Sequence, residues 1–283
     1  MLTSNGYTLA PGSNRLGRLQ ETPDHELQNR DALWDRIRDQ GYLLLRNQIP
    51  AADVLAFRQY YFSRLADSGL VREGTEPIEG IASGDGIDPG LYRQALFGEI
   101  VSSQEYEALC THPAVRDWFE WFLGADTHLH KRRILRHTQP GENGIGTATQ
   151  AHYDLVYLRE GTDRVLSMWI PLGDCPVDLG GLIYLEGTHH AIMAEEAERR
   201  LKRPAASITA DLPALADEYD SRWLVTDYAA GDVVVHSAHV IHAALDNVRT
   251  DGRMRLSTDI RYQRASDPID WRWQQHWHDR DGL

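Results

Sequence analysis

His152-Tyr153-Asp154, in the stretch TQAHYDLVYL from Thr149 to Leu158, is the part of this chain best placed to do chemistry. In an extended strand the side chains at i and i+2 leave the same face, so an imidazole and a carboxylate would point together into one space. A third ligand must come from elsewhere, and Val240-Ile241-His242 offers one. Two imidazoles and one carboxylate on one face of a metal leave its other positions open, which is the arrangement of non-haem Fe(II) oxygenases. The segment HSAHVIH also holds His236 and His239. Alternation through the apolar run VIHAAL sets His242 and Ala244 on one face, whereas His236 closes the preceding run and His239 falls in a turn. His242 is therefore the expected ligand, with the other two behind it or at the surface.

A second group follows downstream. In RLSTDIRY, Arg255, Ser257, Asp259 and Arg261 share one face of a strand, and Leu256, Thr258, Ile260 and Tyr262 share the other. A face with four polar groups is ordinarily the solvent face. If it points inward it needs a charged partner, because an unpaired buried arginine is very costly. A dicarboxylate would be such a partner, since a guanidinium binds carboxylate bidentately and a serine hydroxyl can add a bond.

The elements that must position these residues fall into two halves. Up to Gly124 the pattern is mostly helical. Helices are expected from Glu26 to Gly41, Ala51 to Gly69, Leu91 to Phe97, Ser103 to Leu109 and Pro113 to Leu123, with a short strand at Tyr42–Arg46. Residues 1–22 are polar and expected to drape over the surface. Residues 70–91 are crowded with glycine, proline and acids and are expected to form a lid that orders over the site when substrate binds. After Gly124, strand formers alternate with turn signals. Strands are expected at His128–His137, Thr147–Leu158, Val165–Leu172, Gly181–Glu186, Trp223–Thr226, Asp232–His236, Val240–Leu245 and Arg255–Gln263. One helical insert, Ala191–Arg203, carries a charge run expected to face solvent. Short strands preceded by helices suggest an antiparallel barrel or sandwich with helices packed on one face. The expected division is one domain over 1–283, with a helical part at 23–123 and a β core at about 128–265.

Composition limits the partners. A net charge of −13 argues against nucleic acid or an anionic membrane surface. Cys110 and Cys175 alone imply no disulfide framework. The absence of a basic-then-apolar leader and of a long apolar run gives a cytoplasmic expectation. The basic cluster Lys131-Arg132-Arg133 with Arg136 could meet phosphate or a CoA ester, and a solvated strand is the plainer expectation. Trp271, Trp273 and Trp277 could line an apolar pocket.

Several stretches, in order, resemble the phytanoyl-CoA dioxygenase-like branch of the Fe(II)/2-oxoglutarate oxygenases. AHYD is similar to that family's HxD; SMWIPLGDC and LGGLIYLEGTHH are similar to its tryptophan strand and following turn. GDVVVHSAHVIHAALDN resembles its distal-histidine segment, with Asn247 after His242. RLSTDIRYQ resembles its terminal arginine strand, and DQGYLLLRNQIP its opening. Glu186 stands where the family usually has proline, and Ala244 where it often has a hydroxyl residue.

The resemblance implies a mainly β fold with flanking helices, the double-stranded β-helix of jelly-roll and cupin-like barrels. It implies Fe(II) held by His152, Asp154 and His242, 2-oxoglutarate as cosubstrate, and O2. Arg255 and Ser257 are then expected to bind the far carboxylate of 2-oxoglutarate, with Trp169 packed near it. Arg253 is a rival for Arg255 if the segment is aligned without a gap. The implied activity is hydroxylation or another oxidation of a small molecule, as in secondary metabolism. An aspartate at 154, rather than a small residue that would open a halide position, favours hydroxylation over halogenation. The same three ligands around a bound water would instead serve a zinc hydrolase, and a metal-binding barrel that senses a ligand without turnover would keep them too.

Overall fold

The computed structural model describes residues 1–10, 14–142, 144–198 and 206–279. A short hairpin, β1 (Leu2–Ser4) and β2 (Tyr7–Leu9), opens the chain and is followed by β3 (Leu16–Arg18). The described part of residues 1–22 is thus not a passive drape. Asn5-Gly6 turns the hairpin with both residues at positive φ, the strongest short hairpin signal a sequence offers. Ser4 Oγ then donates to Ala244 O, and Asp246 accepts from the backbone of Asn5 and Gly6.

The helical half forms where the apolar spacing requires it. α1 (Arg30–Gln40) is capped by the Asn29 side chain, which accepts from Ala32 N. It buries Leu33 and Ile37 one turn apart and ends at Gly41, φ 81°. β4 (Tyr42–Leu45) follows directly, then α2 (Ala51–Leu65), which buries Val54, Phe57, Tyr61, Phe62 and Leu65. α3 (Pro89–Arg93) continues into a π-helical stretch, Gln94–Ile100, ahead of α4 (Gln104–Cys110) and α5 (Pro113–Leu123).

Residues 70–91 depart from the expected lid. Arg58, on α2, donates to Ile78 O, Glu79 O, Leu172 O and Met254 O at 2.6, 3.0, 3.1 and 3.2 Å. Gly80 O accepts from Met254 N, and Ala82 N donates to Gly252 O. The segment contains a 3-10 turn at Pro77–Glu79 and buries Leu70, Val71, Ile81 and Ala82. It is stapled between α2 and the start of the last strand, because a buried guanidinium gathers four carbonyls that would otherwise lack donors. Burial lowers the Arg58 pKa to about 10.

The β half contains β5 (Thr127–Leu129), β6 (Ile134–Thr138), β7 (Leu166–Pro171), β8 (Leu182–Leu185), β9 (Trp223–Val225), β10 (Val233–Ser237), β11 (His242–Ala244) and β12 (Arg255–Arg264). The larger sheet runs β4-β10-β7-β12-β5, with β6 also paired to β12, and the smaller runs β11-β8-β9-β3. All pairs are antiparallel except β3 with β9. One face of the larger sheet, with Leu43, Leu45, Met168, Ile170, Val233, Val235, Leu256 and Ile260, packs on the helices. The other, with Leu44, Trp169 and Val234, packs against Leu182, Tyr184, Leu224 and Ala244 of the smaller sheet. This is the mainly β, helix-flanked architecture of a double-stranded β-helix, two facing sheets that hydrogen bonds do not close into one cylinder among the described strands.

Three expected elements change form. The run 128–137 is two strands, β5 and β6, with a break at His130–Arg133. The strand expected at 147–158 is reduced to isolated bridges, Ala151 to Thr209 and His152 to His242, followed by a 3-10 turn at Asp154–Val156. The insert expected at 191–203 is α6 (Thr188–Ala197), after which α7 (Leu212–Glu218) leads into β9. Its Arg199, Arg200, Lys202 and Arg203 lie outside the described residues.

Candidate metal centre and active site

His152 and His242 are brought together by the backbone. Each donates its N–H to the other's carbonyl, at 3.0 and 2.9 Å, which makes them a directly opposed antiparallel pair. Tyr153 is extended, φ −126° and ψ 146°, so Asp154 projects to the same side as His152 even though no regular strand surrounds it. His152 Nε2 lies 3.7 Å and His242 Nε2 3.9 Å from Asp154 Oδ1. One ligand atom from each of the three fits within a 4.8 Å span, and all three residues are buried. Ligand atoms about 2.0–2.2 Å from a first-row ion stand roughly 3 to 4 Å apart across one face, so the separations fit a single ion.

The protonation states fit as well. His152 Nδ1 is 2.8 Å from Gln150 O and His242 Nδ1 is 3.0 Å from Val240 O. A carbonyl only accepts, so both Nδ1 atoms carry the proton and both Nε2 atoms present lone pairs toward Asp154. Burial lowers the pKa of both imidazoles, that of His242 strongly, and the neutral ring is the form that ligates. Burial alone would raise the Asp154 carboxyl, but the Arg261 guanidinium and the hydrogen bond from His236 hold it well below the usual carboxylate range.

The carboxylate is held from behind. Ser167 Oγ donates to Asp154 Oδ2, and His236 Nε2 stands 3.3 Å from the same oxygen, while Arg261 donates to Oδ1 at 2.9 Å. His236 Nδ1 is 3.0 Å from the Tyr184 hydroxyl, so both its ring nitrogens are engaged. His236 is completely buried rather than superficial, and it buttresses the aspartate instead of joining the donor set. His239, buried in the turn after β10, is not among the three converging groups. The positions of Ser167 and Arg261 follow from register, since the two residues lie opposite each other on β7 and β12.

The polar alternation of β12 does face inward. Arg255, Ser257 and Asp259 lie opposite Thr138, Arg136 and Ile134 of β6, and Asp259 lies opposite Trp169 of β7. A cavity of about 280 Å³ is lined by residues including Arg255, Asp259, Arg261, Trp169, His152 and His242. Arg255 is 2% exposed; its Nη1 donates to Ser257 Oγ at 2.6 Å and its Nε reaches only 3.5 Å from Thr138 Oγ1. No carboxylate pairs with it among the described residues. A buried guanidinium with no carboxylate in ion-pair contact can accept an anion, so the residues present fit a dicarboxylate cosubstrate beside the candidate metal ligands. Arg253, by contrast, is exposed and pairs with Asp251 at 3.5 Å. Asn247 fixes the intervening turn, its Nδ2 donating to Thr138 O and Arg253 O.

The remaining expected residues divide between the two sides of the larger sheet. Of the basic cluster, Arg133 turns to the helical side, pairs with Glu107 at 2.6 Å and lies over the Tyr106 ring. Arg132, buried in the break before β6, and Arg136, exposed on β6, both line the cavity. Trp273 also lines it, with the guanidiniums of Arg132 and Arg261 4.6 and 4.7 Å from its ring. Trp271 is exposed, and Trp277 packs on Phe97. No residue of 70–91 lines the cavity. Gln150 and Tyr157, which do, escaped notice because isolated polar residues in an irregular stretch carry no periodic signal.

Solved structures of similar fold include the epimerase SnoN in complex with Fe3+, alpha ketoglutarate and nogalamycin RO, 23% identical over 85% of each chain with a TM-score of 0.57. The alpha ketoglutarate dependent carbocyclase SnoK from nogalamycin biosynthesis is 19% identical, covers 94% of this chain and 92% of its own, and gives a TM-score of 0.58. EctD from S. alaskensis with 2-oxoglutarate and 5-hydroxyectoine is 18% identical over 95% of this chain and 86% of its own, at 0.56. At these identities the likeness is one of fold. No described helix is long and apolar enough to cross a membrane. The sequence pattern of the family described as Phytanoyl-CoA dioxygenase (PhyH) matches residues 37–255, which include His152, Asp154 and His242, and the chain belongs to that family, whose members use Fe(II), 2-oxoglutarate and O2.

Proposed function

We propose that this chain is an Fe(II)- and 2-oxoglutarate-dependent oxygenase that hydroxylates or otherwise oxidises a small molecule. In this reading His152, Asp154 and His242 hold the metal. Arg255 and Ser257 bind the far carboxylate of 2-oxoglutarate, and Trp169 walls the cosubstrate site. The observation that carries it is that the two histidines of the His-Asp-His set line one cavity with a buried arginine that has no ion-paired carboxylate among the described residues. A zinc hydrolase has no need of that arginine, and a ligand-sensing barrel would keep it without consuming 2-oxoglutarate. Iron and cosubstrate supply the oxidising chemistry when bound. The chain's own residues hold the donor atoms, fix the imidazole tautomers and keep the Asp154 carboxylate ionised.

An aspartate in the donor set favours oxygen transfer over halogenation. Related folds include an epimerase and a carbocyclase, so the outcome at the substrate carbon is the finer question. Two buried free thiols, Cys110 and Cys175, suit a cytoplasmic enzyme, with helices and sheets acting as one domain. The test is anaerobic loading with Fe(II) and 2-oxoglutarate, then exposure to O2 with a metabolite panel. Succinate release that needs both Fe(II) and Arg255 is expected. Zinc-dependent hydrolysis without 2-oxoglutarate consumption would overturn the reading.

A further inference from the structure

The cavity carries more positive charge than the metal and cosubstrate explain. Four guanidiniums line it, those of Arg132, Arg136, Arg255 and Arg261, in a chain whose net charge is −13. Arg261 is committed to Asp154, and Arg132 stacks on Trp273. Arg255 is the anchor for the cosubstrate's far carboxylate. Arg136 is left. It stands on β6 opposite Ser257, is exposed at the cavity, and has no ion pair or hydrogen bond among the described residues; the Asp259 carboxylate on the same wall favours its charged form and offsets only one of the four positive charges.

Its neighbours across the mouth are donors too. Gln150 Oε1 accepts from Ser207 Oγ at 3.0 Å, which turns its NH2 group away from that bond, and the amide makes no other hydrogen bond among the described residues. The Tyr157 ring packs edge-on to His152 at 5.6 Å and also lines the cavity. A wall of guanidinium, amide N–H and phenol O–H offers hydrogens and a positive field to whatever enters. At about 280 Å³ the enclosed space is at the small end for a ligand site and must also take the cosubstrate.

Resting on the oxygenase reading above, we propose that the substrate presents an oxyanion, a carboxylate or a phosphate monoester, and that Arg136, assisted by Gln150 and Tyr157, binds it next to the metal ligands. Arg136 is then the residue that selects anionic substrates over neutral ones of the same shape.

The test is calorimetric titration, without O2, of hexanoate, hexyl phosphate and hexanamide into protein loaded with Fe(II) and 2-oxoglutarate. At least one anion is expected to bind on the order of tenfold or more tightly than hexanamide, the range for a charge-assisted hydrogen bond. Which anion wins identifies the source. Arg136→Gln should abolish the preference and Arg136→Lys should restore part of it, with 2-oxoglutarate affinity within about twofold of the original in both. Equal binding of all three probes overturns the proposal. So does an anion that displaces 2-oxoglutarate and bleaches the visible Fe(II)–cosubstrate absorption, or a loss of cosubstrate affinity in Arg136→Gln as large as the loss for the probe. If the parent protein never develops that absorption, the oxygenase reading itself has failed.

Discussion

Replacing Arg255 by methionine separates binding from stability in a way few substitutions do. The guanidinium is buried, donates to Ser257 Oγ and has no carboxylate partner. Burial lowers its pKa, which means that the folded protein is under cost to keep it charged. A hydrogen bond to a charged group contributes about 1.5–3 kcal/mol. Losing that much weakens 2-oxoglutarate by roughly ten- to 150-fold, at 1.4 kcal/mol per decade. Methionine roughly conserves the apolar volume and removes an unpaired buried charge, so the variant without cosubstrate should melt at the same temperature as the parent or higher. The assay is anaerobic titration of 2-oxoglutarate into the Fe(II)-loaded protein by visible absorption, alongside thermal melts with and without cosubstrate. Arg253→Ala, at an exposed side chain paired only with Asp251, should change affinity less than twofold. The reasoning is refuted if Arg253→Ala weakens the cosubstrate more than Arg255→Met does, or if Arg255→Met lowers the melting temperature without touching affinity.

Other perturbations follow from the same contacts. His236→Ala should weaken Fe(II) about 10- to 100-fold, the usual effect of removing a group that orients a ligand, and His239→Ala should leave it within about twofold; metal titration ranks them. Gly80→Ala should lower the melting temperature without changing cosubstrate affinity, because φ there is 61° and a Cβ would overlap Arg58 and Phe62. Burial pushes His130 down to about 4, so it stays neutral in the folded chain while the unfolded chain takes a proton near pH 6.5. Its contribution is therefore complete above about pH 6.5 and is lost as pH falls toward 4, about 3 kcal/mol in all at 1.36 kcal/mol per pH unit. Burial pushes His137 to about 4 as well, which steepens the same slope. Denaturant melts from pH 7 to 4 check it, and His130→Asn should flatten the curve.

Regular alternation made the inner wall readable from the sequence. Arg255, Ser257, Asp259 and Arg261 share a face in the sequence as they do in β12, whereas Trp169 is expected there only from the family resemblance. The His-x-Asp pairing was legible for a weaker reason. Period two survives at Tyr153 because that one residue is extended, although the strand expected around it is absent. What stayed hidden depends on contacts between distant segments. Whether β12's polar face met solvent or a cavity is decided by the smaller sheet lying over it. The glycine- and proline-rich stretch at 70–91 has the composition of a lid. Arg58 on α2 and backbone bonds to Gly252 and Met254 tie it to the rest of the fold, and no local pattern announces that Arg58 is buried. In the basic cluster, adjacent residues part company, Arg132 to the cavity and Arg133 to Glu107, and composition cannot distinguish them.

The central claim, that three residues from two distant segments hold one catalytic iron, is tested most directly by anomalous diffraction at the iron edge. Crystals would be grown without O2 in the presence of Fe(II) and 2-oxoglutarate. The account predicts a single peak about 2.0–2.2 Å from His152 Nε2, His242 Nε2 and an Asp154 oxygen, with the far end of the cosubstrate on Arg255. A peak coordinated by His236 or His239, or no peak between these three residues at saturating iron, would contradict it.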